Sequence, residues 1–143
     1  MKKLKFAKPI KKRKLTKKGV WKLFSEYIRL RDCFYTTRTL TRGKCVTCGK
    51  TFPFKQLQAG HLLDGRSGEA FMDERGVFAQ CMQCNVWRHG FKEKFIPWFL
   101  DAFGKPLYNE LEKLKRKPKK WNQNALEDKK KEIEENIAYI KGL

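Results

Sequence analysis

The sequence predicts an α+β fold: a small core of short strands stapled by a metal ion, with one helix before it and helices after it. Three observations predict this. Two Cys-x2-Cys pairs, Cys45/Cys48 and Cys81/Cys84, bracket residues 49–80. Short runs of β-branched and aromatic residues, punctuated by glycine, lie around and between them. On either side, apolar residues recur at helical spacing.

Composition narrows the functional class. A chain of 143 residues with 41% hydrophobic content fits one domain with a small core. Its 34 Lys and Arg against 15 Asp and Glu give a formal net charge of +19. A small compact protein repels itself at that charge, and a polyanion relieves the repulsion. Nucleic acid is the expected partner; a merely soluble basic protein is the plain alternative. No apolar run approaches the ~20 residues of a membrane span. The lysine-rich start lacks an apolar signal core, so the expected location is the cytoplasm. In a reducing compartment five cysteines, four of them paired by spacing, read as metal ligands rather than disulfides.

Residues 1–16 form a basic arm in this reading. Residues 1–18 carry no acid, and Glu26 is the first carboxylate. Lys11, Lys12, Arg13 and Lys14 would follow a phosphate backbone. The main domain is expected over 17–120. It opens with a helix from Lys17 to about Asp32, capped by Thr16, with Val20, Trp21, Phe24, Tyr27 and Ile28 on one stripe. Cys33 follows as a buried packing thiol. Residues 34–44 are expected to be extended.

Cys45-Val46-Thr47-Cys48-Gly49-Lys50 is a metal knuckle whose glycine lets the chain turn tightly. With Cys81 and Cys84 it makes a four-thiolate set suited to tetrahedral Zn(II). Leu57 to Leu63 reads as a strand carrying His61. The loop 64–69 can meet phosphate through Arg66 and exposed amides. Residues 70–80 read as a return strand with a turn near Gly76. If a helix opens at Cys81, Asn85 and His89 fall at i and i+4 on one face. Helices are expected over 92–103, with Pro97 in the first turn and Gly104 as the stop, and over 106–117. The linker from Lys115 and Arg116 to Trp121 is basic. Residues 121–143 make an amphipathic helix for packing or dimerisation, with Leu126, Ile133, Ile137 and Ile140 on one stripe.

The order knuckle, strand with His61, loop, return strand and helix with Asn85 and His89 resembles the HNH nucleases of the ββα-metal (His-Me finger) group. Gln58-Ala59-Gly60-His61, the run 71–76, Ala79-Gln80-Cys81, and Cys84-Asn85 with His89-Gly90 together resemble the phage NinG/Rap recombination-protein family. The resemblance implies a treble-clef-like HNH core and a structure-specific endonuclease acting on Holliday junctions and D-loops. It implies structural zinc and a catalytic Mg(II) or Mn(II), and phage or host recombination proteins as partners. Two departures stand out. Many HNH enzymes carry a metal-binding Asp where this chain has Gly60. Family members often have His at the position of Phe78 and Asn at that of Phe91.

On this reading His61 is the general base. Asn85 and His89 hold the catalytic metal, Asp64 or Asp73 completes its site, and Arg66 and Arg88 clamp phosphate. Two rivals remain: a non-catalytic zinc module that binds DNA, and an HNH nuclease with sequence preference.

Overall fold

The computed structural model describes residues 13–143. The expected contacts of Lys11 and Lys12 lie outside them. The centre is an antiparallel pair, β3 (Leu57–His61) with β4 (Val77–Cys81), in the register Leu57–Cys81 to His61–Val77. Successive side chains on a strand point to opposite faces. Leu57, Ala59, His61, Val77 and Ala79 therefore share one face, and Gln58, Gly60, Phe78 and Gln80 the other.

Both faces are covered, which is why every residue of β4 is buried. The first face receives α1 (Lys17–Thr37). Val20, Phe24 and Ile28 of α1 join Ala59, Val77, Phe71 and Met72 in one cluster. On the second face Leu62 and Phe78 pack with Phe95 and Phe99 of α2 (Lys92–Phe103) and Leu111 of α3 (Lys105–Arg116). The last helix, α4 (Gln123–Lys141), lays Leu126, Ile133 and Ile140 on α1. Of the two uses expected for this seam, packing is the one observed within the chain. Leu15 is pinned at its backbone N–H and C=O by the Gln123 amide, at 3.0 and 2.7 Å.

A smaller hairpin, β1 (Arg42–Lys44) with β2 (Thr51–Pro53), carries the first Cys-x2-Cys loop at its tip. The expected extended segment therefore shrinks to three residues. Helix α1 runs on through Thr37, where the Thr36 and Thr37 hydroxyls donate to the carbonyls of Asp32 and Cys33, four residues back. It ends at Arg38, in the left-handed region at φ 60°. The Thr16 cap is observed, accepting from the Gly19 N–H at 3.0 Å.

Residues 70–76 are not strand. They form two short 3-10 turns, Glu69–Met72 and Glu74–Gly76, because the Asp73 carboxylate accepts the Arg75 N–H and closes a local turn. Pro97 lies inside α2 rather than in its first turn, on an exposed side where water can satisfy the carbonyl it leaves unpaired. Gly104 ends α2 at φ 88°.

One polar clamp joins α1 to β4. Asp32 accepts the Ala79 N–H at 2.7 Å and Arg31 Nε at 2.8 Å. Arg31 also donates to the carbonyls of Glu74 and Val77, at 2.6 and 2.8 Å. Asp32→Ala strands a buried N–H and should cost about 1–3 kcal/mol. A lowered urea midpoint with an unchanged slope is the expected result.

Candidate functional site

The two cysteine pairs converge at one end of the molecule. Gly49, at φ 74°, turns the first loop so that its N–H donates to the Cys45 carbonyl at 2.9 Å. The Val46 N–H donates to the Ala79 carbonyl at 2.9 Å and locks that loop to β4. The sulfur atoms of Cys45, Cys48, Cys81 and Cys84 all lie within 4.8 Å of one another. Cys48 and Cys81 sulfurs are 3.9 Å apart. Tetrahedral zinc with bonds of about 2.3 Å places sulfurs about 3.8 Å apart. The donor set and its spacing fit a structural Zn(II) with no open position for water.

Ionisation of the thiols follows the same logic. Burial pushes the Cys45 thiol up, but hydrogen bonds from the Cys48 backbone and the Thr47 hydroxyl outweigh it and bring it to about 6. Burial pushes Cys84 up to about 12, and its cysteine neighbours push the same way. Only a cation among the sulfurs lets all four stay thiolate.

The helix expected from Cys81 is a single π turn, Gln83–Trp87, closed by an Arg88 N–H to Gln83 carbonyl bond of 2.8 Å. Three residues with positive φ follow: His89 at 51°, Gly90 at 87° and Phe91 at 53°. The two that are not glycine cost of order 1–3 kcal/mol each. Phe91 is held by packing around the cysteines, and Gly90 by its carbonyl, which accepts Gln80 Nε2 at 2.9 Å. Asn85 donates to the Gln58 side chain at 2.8 Å, so it stands on the Gln58 face of the hairpin. His89 is exposed in the turn.

His61 lies on the opposite face. Its ring stacks on Trp21, 4.8 Å between centroids, and on Phe71 at 5.4 Å. Its Nε2 is 2.8 Å from the Phe71 carbonyl oxygen. A carbonyl only accepts, so Nε2 carries the proton and Nδ1 the lone pair in the neutral ring. Burial holds the His61 pKa below the usual 6.5; Lys92 and Arg66 push the same way, against the Phe71 hydrogen bond. Lys92 Nζ donates to the carbonyls of His61 and Leu62 and sits 3.4 Å from Asp64. Lys17 Nζ donates to the Arg66 carbonyl and lies over the Phe71 ring. The Lys115 chain runs beside Gly65. Lys92 and Arg66 thus bring positive charge near the imidazole, with Asp64 the opposing carboxylate.

The remaining candidates separate. Both oxygens of Asp73 are engaged by Arg75, at 3.0 and 2.8 Å, which disfavours a metal-ligand role. Arg88 lies over the Phe91 ring at 4.5 Å, beside the zinc end rather than His61. Arg116 is 3.9 Å from Glu112. Arg13 and Lys14 are exposed at the start of the described chain. The cleft between residues 69–75 and α4 is lined by five carboxylates, Glu69, Asp73, Glu74, Asp128 and Glu132, against three cations, Arg75, Lys119 and Lys129, a net negative balance unfavourable to phosphate. Among the described residues the Asn85 amide is tied to Gln58 and the His61 imidazole to Trp21 and Phe71, so the proposed metal ligand and the proposed base pack on different partners. Lys17 and Lys92 were not legible as site residues in the sequence. Their contacts with Arg66 and His61 are tertiary, and no local spacing announces them.

Cys84→Ser should abolish stoichiometric zinc and lower the melting temperature to a value that chelator no longer changes; a wild-type melting curve with full zinc would refute the staple. The second expectation concerns pH. A histidine with a depressed folded pKa contributes stability that is full above the unfolded value and is lost as pH falls below it. Between about pH 7 and 5.5 the wild type should therefore lose melting temperature more steeply than His61→Gln.

A family model described as the bacteriophage lambda NinG protein matches residues 1–142. No curated protein and no solved structure matches the chain. Among the described residues no helix is long and apolar enough to cross a membrane. With a match over nearly its whole length, the chain belongs to the family of the bacteriophage lambda NinG protein.

Proposed function

We propose that the protein is an endonuclease of phage recombination that hydrolyses phosphodiesters in branched DNA. The observation that carries this reading is the placement of His61: the Phe71 carbonyl sets its tautomer, and burial together with the charges of Lys92 and Arg66 favours the neutral ring. Neutral Nδ1 takes a proton from water at physiological pH. The water oxygen attacks phosphorus, the bond to one ester oxygen breaks, and that oxygen leaves with a proton from solvent. Arg66, Lys92, Lys17 and Lys115 hold the phosphate and offset its growing charge. The net charge of +19 draws the polyanion in. No step is routed through Mg(II) or Mn(II), because the expected ligands are divided between two faces. Junction and D-loop preference rests on the family.

A second reading has its own support. The separation of His61 from Asn85 favours a zinc module that binds DNA without cutting it. One experiment divides them. Zinc-loaded protein is incubated with Mg(II) or Mn(II) and labelled four-way junction, D-loop and linear duplex. The expected result is nicking of the branched substrates, lost at least a hundredfold in His61→Ala with binding retained. Binding without any cutting establishes the module, and equal cutting of linear duplex establishes a sequence-preferring nuclease.

A further inference from the structure

The cysteine-cluster end presents an apolar prong that nothing among the described residues covers. Met82 caps the π turn, and Val86 and Trp87 are its last two residues, one turn further on. All three are exposed, at 53%, 49% and 71%. The same turn carries Cys84, so the prong stands on the metal staple.

Charge says what meets it. No carboxylate residue occurs between Asp32 and Asp64, nor between Glu74 and Glu93. These two stretches make both hairpins and both knuckles. They expose Arg42, Lys44, Lys50, Lys55 and Arg88. An exposed indole on segments that expose these five cations and carry no acid is a platform on which nucleobases can stack while their phosphates pair with Lys and Arg. A duplex offers this surface only phosphates, because its bases are paired and stacked inside. Unpaired bases offer both.

We infer that Trp87, supported by Met82 and Val86, is a stacking site for unpaired nucleobases, and that it gives the protein its preference for DNA with open strands. This rests on the DNA-processing reading above and adds the element that recognises the branch.

The test uses the zinc-loaded full chain without added divalent ions, so that it is independent of cutting. Binding to a fluorophore-labelled oligo-dT strand and to a blunt duplex of equal length is followed by anisotropy at one salt concentration. Trp87→Ala should weaken single-strand binding about tenfold and leave duplex binding within about twofold. Trp87→Phe should restore most of the loss, and Tyr139→Ala, an exposed aromatic on α4, should change nothing. Zinc content and melting temperature identify a variant that fails to fold. In that event the double variant Met82→Ser and Val86→Ser takes its place, with the same single-strand-specific loss expected. Unchanged single-strand affinity, or equal losses on strand and duplex, overturns the inference. So does a Trp87→Ala protein that sediments as a monomer where the wild type is a dimer, which makes the prong a contact between copies. If the wild type cuts nothing but the strand-specific loss appears, the nuclease reading fails and the stacking site stands.

Discussion

The alternation of side chains along β3 and β4 governs what this molecule can bring together. A two-stranded ladder buried on both faces has no neutral side. Apart from Cys81, which ends β4 opposite Leu57 and joins the cysteine cluster, each residue belongs either to the α1 layer or to the layer of α2, α3 and the cysteine-bearing turn. Ala59 and Val77 are committed to α1 by their apolar contacts. Phe78 is committed to α2. Gln80 is tied by its amide to Thr47 and Gly90. With these fixed, a slip of one residue would send every side chain to the wrong layer. His61 and Gln58 inherit their faces from that register, and Asn85 follows Gln58.

The close approach at Gly60 belongs to the same constraint. A Cβ there would fall 1.9 Å from Gln80 Oε1. The position that the HNH resemblance associates with a metal-binding Asp is occupied by the carboxamide of the neighbouring strand. Gly60 thus marks a place where the second face is closed by packing, and the chemistry gathers instead on the first face around an imidazole and its lysines.

Much of this architecture was readable from residue patterns. Thr16 and Gly104 marked helix ends because capping is local. Four cysteines at fixed spacing announced a metal because two short loops suffice to hold four thiolates. The apolar stripe of α4 was visible at its 3.6-residue period, although periodicity does not say what the stripe covers. Other features depended on contacts distant in sequence. Phe34 to Thr37 have the composition of a strand, yet they continue α1, with both threonine hydroxyls turned back onto the helix carbonyls. Residues 70–76 are an apolar run followed by a charged one, and the Asp73 side chain closes a turn where the two meet. The run from Cys81 has helical composition. The gathering of Cys81 and Cys84 with the first cysteine pair and the packing of Phe91 tighten one end into a π turn, and three residues at positive φ follow it. For the site, His61 stood out in the sequence as the histidine between the two cysteine pairs, while its stacking on Trp21 and its contact with Lys92 join residues tens of positions apart.

Cys33 has a consequence for assembly of the metal centre. A fifth thiol within reach of four others is a hazard in a protein that must choose its ligands while folding, since an incorrect set can trap the ion. Here the surplus sulfur is wholly buried beneath Leu57 and Ala79. It is packed so closely against Gly43 that a methyl there would sit 2.8 Å from it. Burial pushes its pKa up to about 11, so it stays protonated. Once α1 docks, the competitor is both sealed and unreactive, and fidelity of metal loading is decided by the order in which helix and knuckles close.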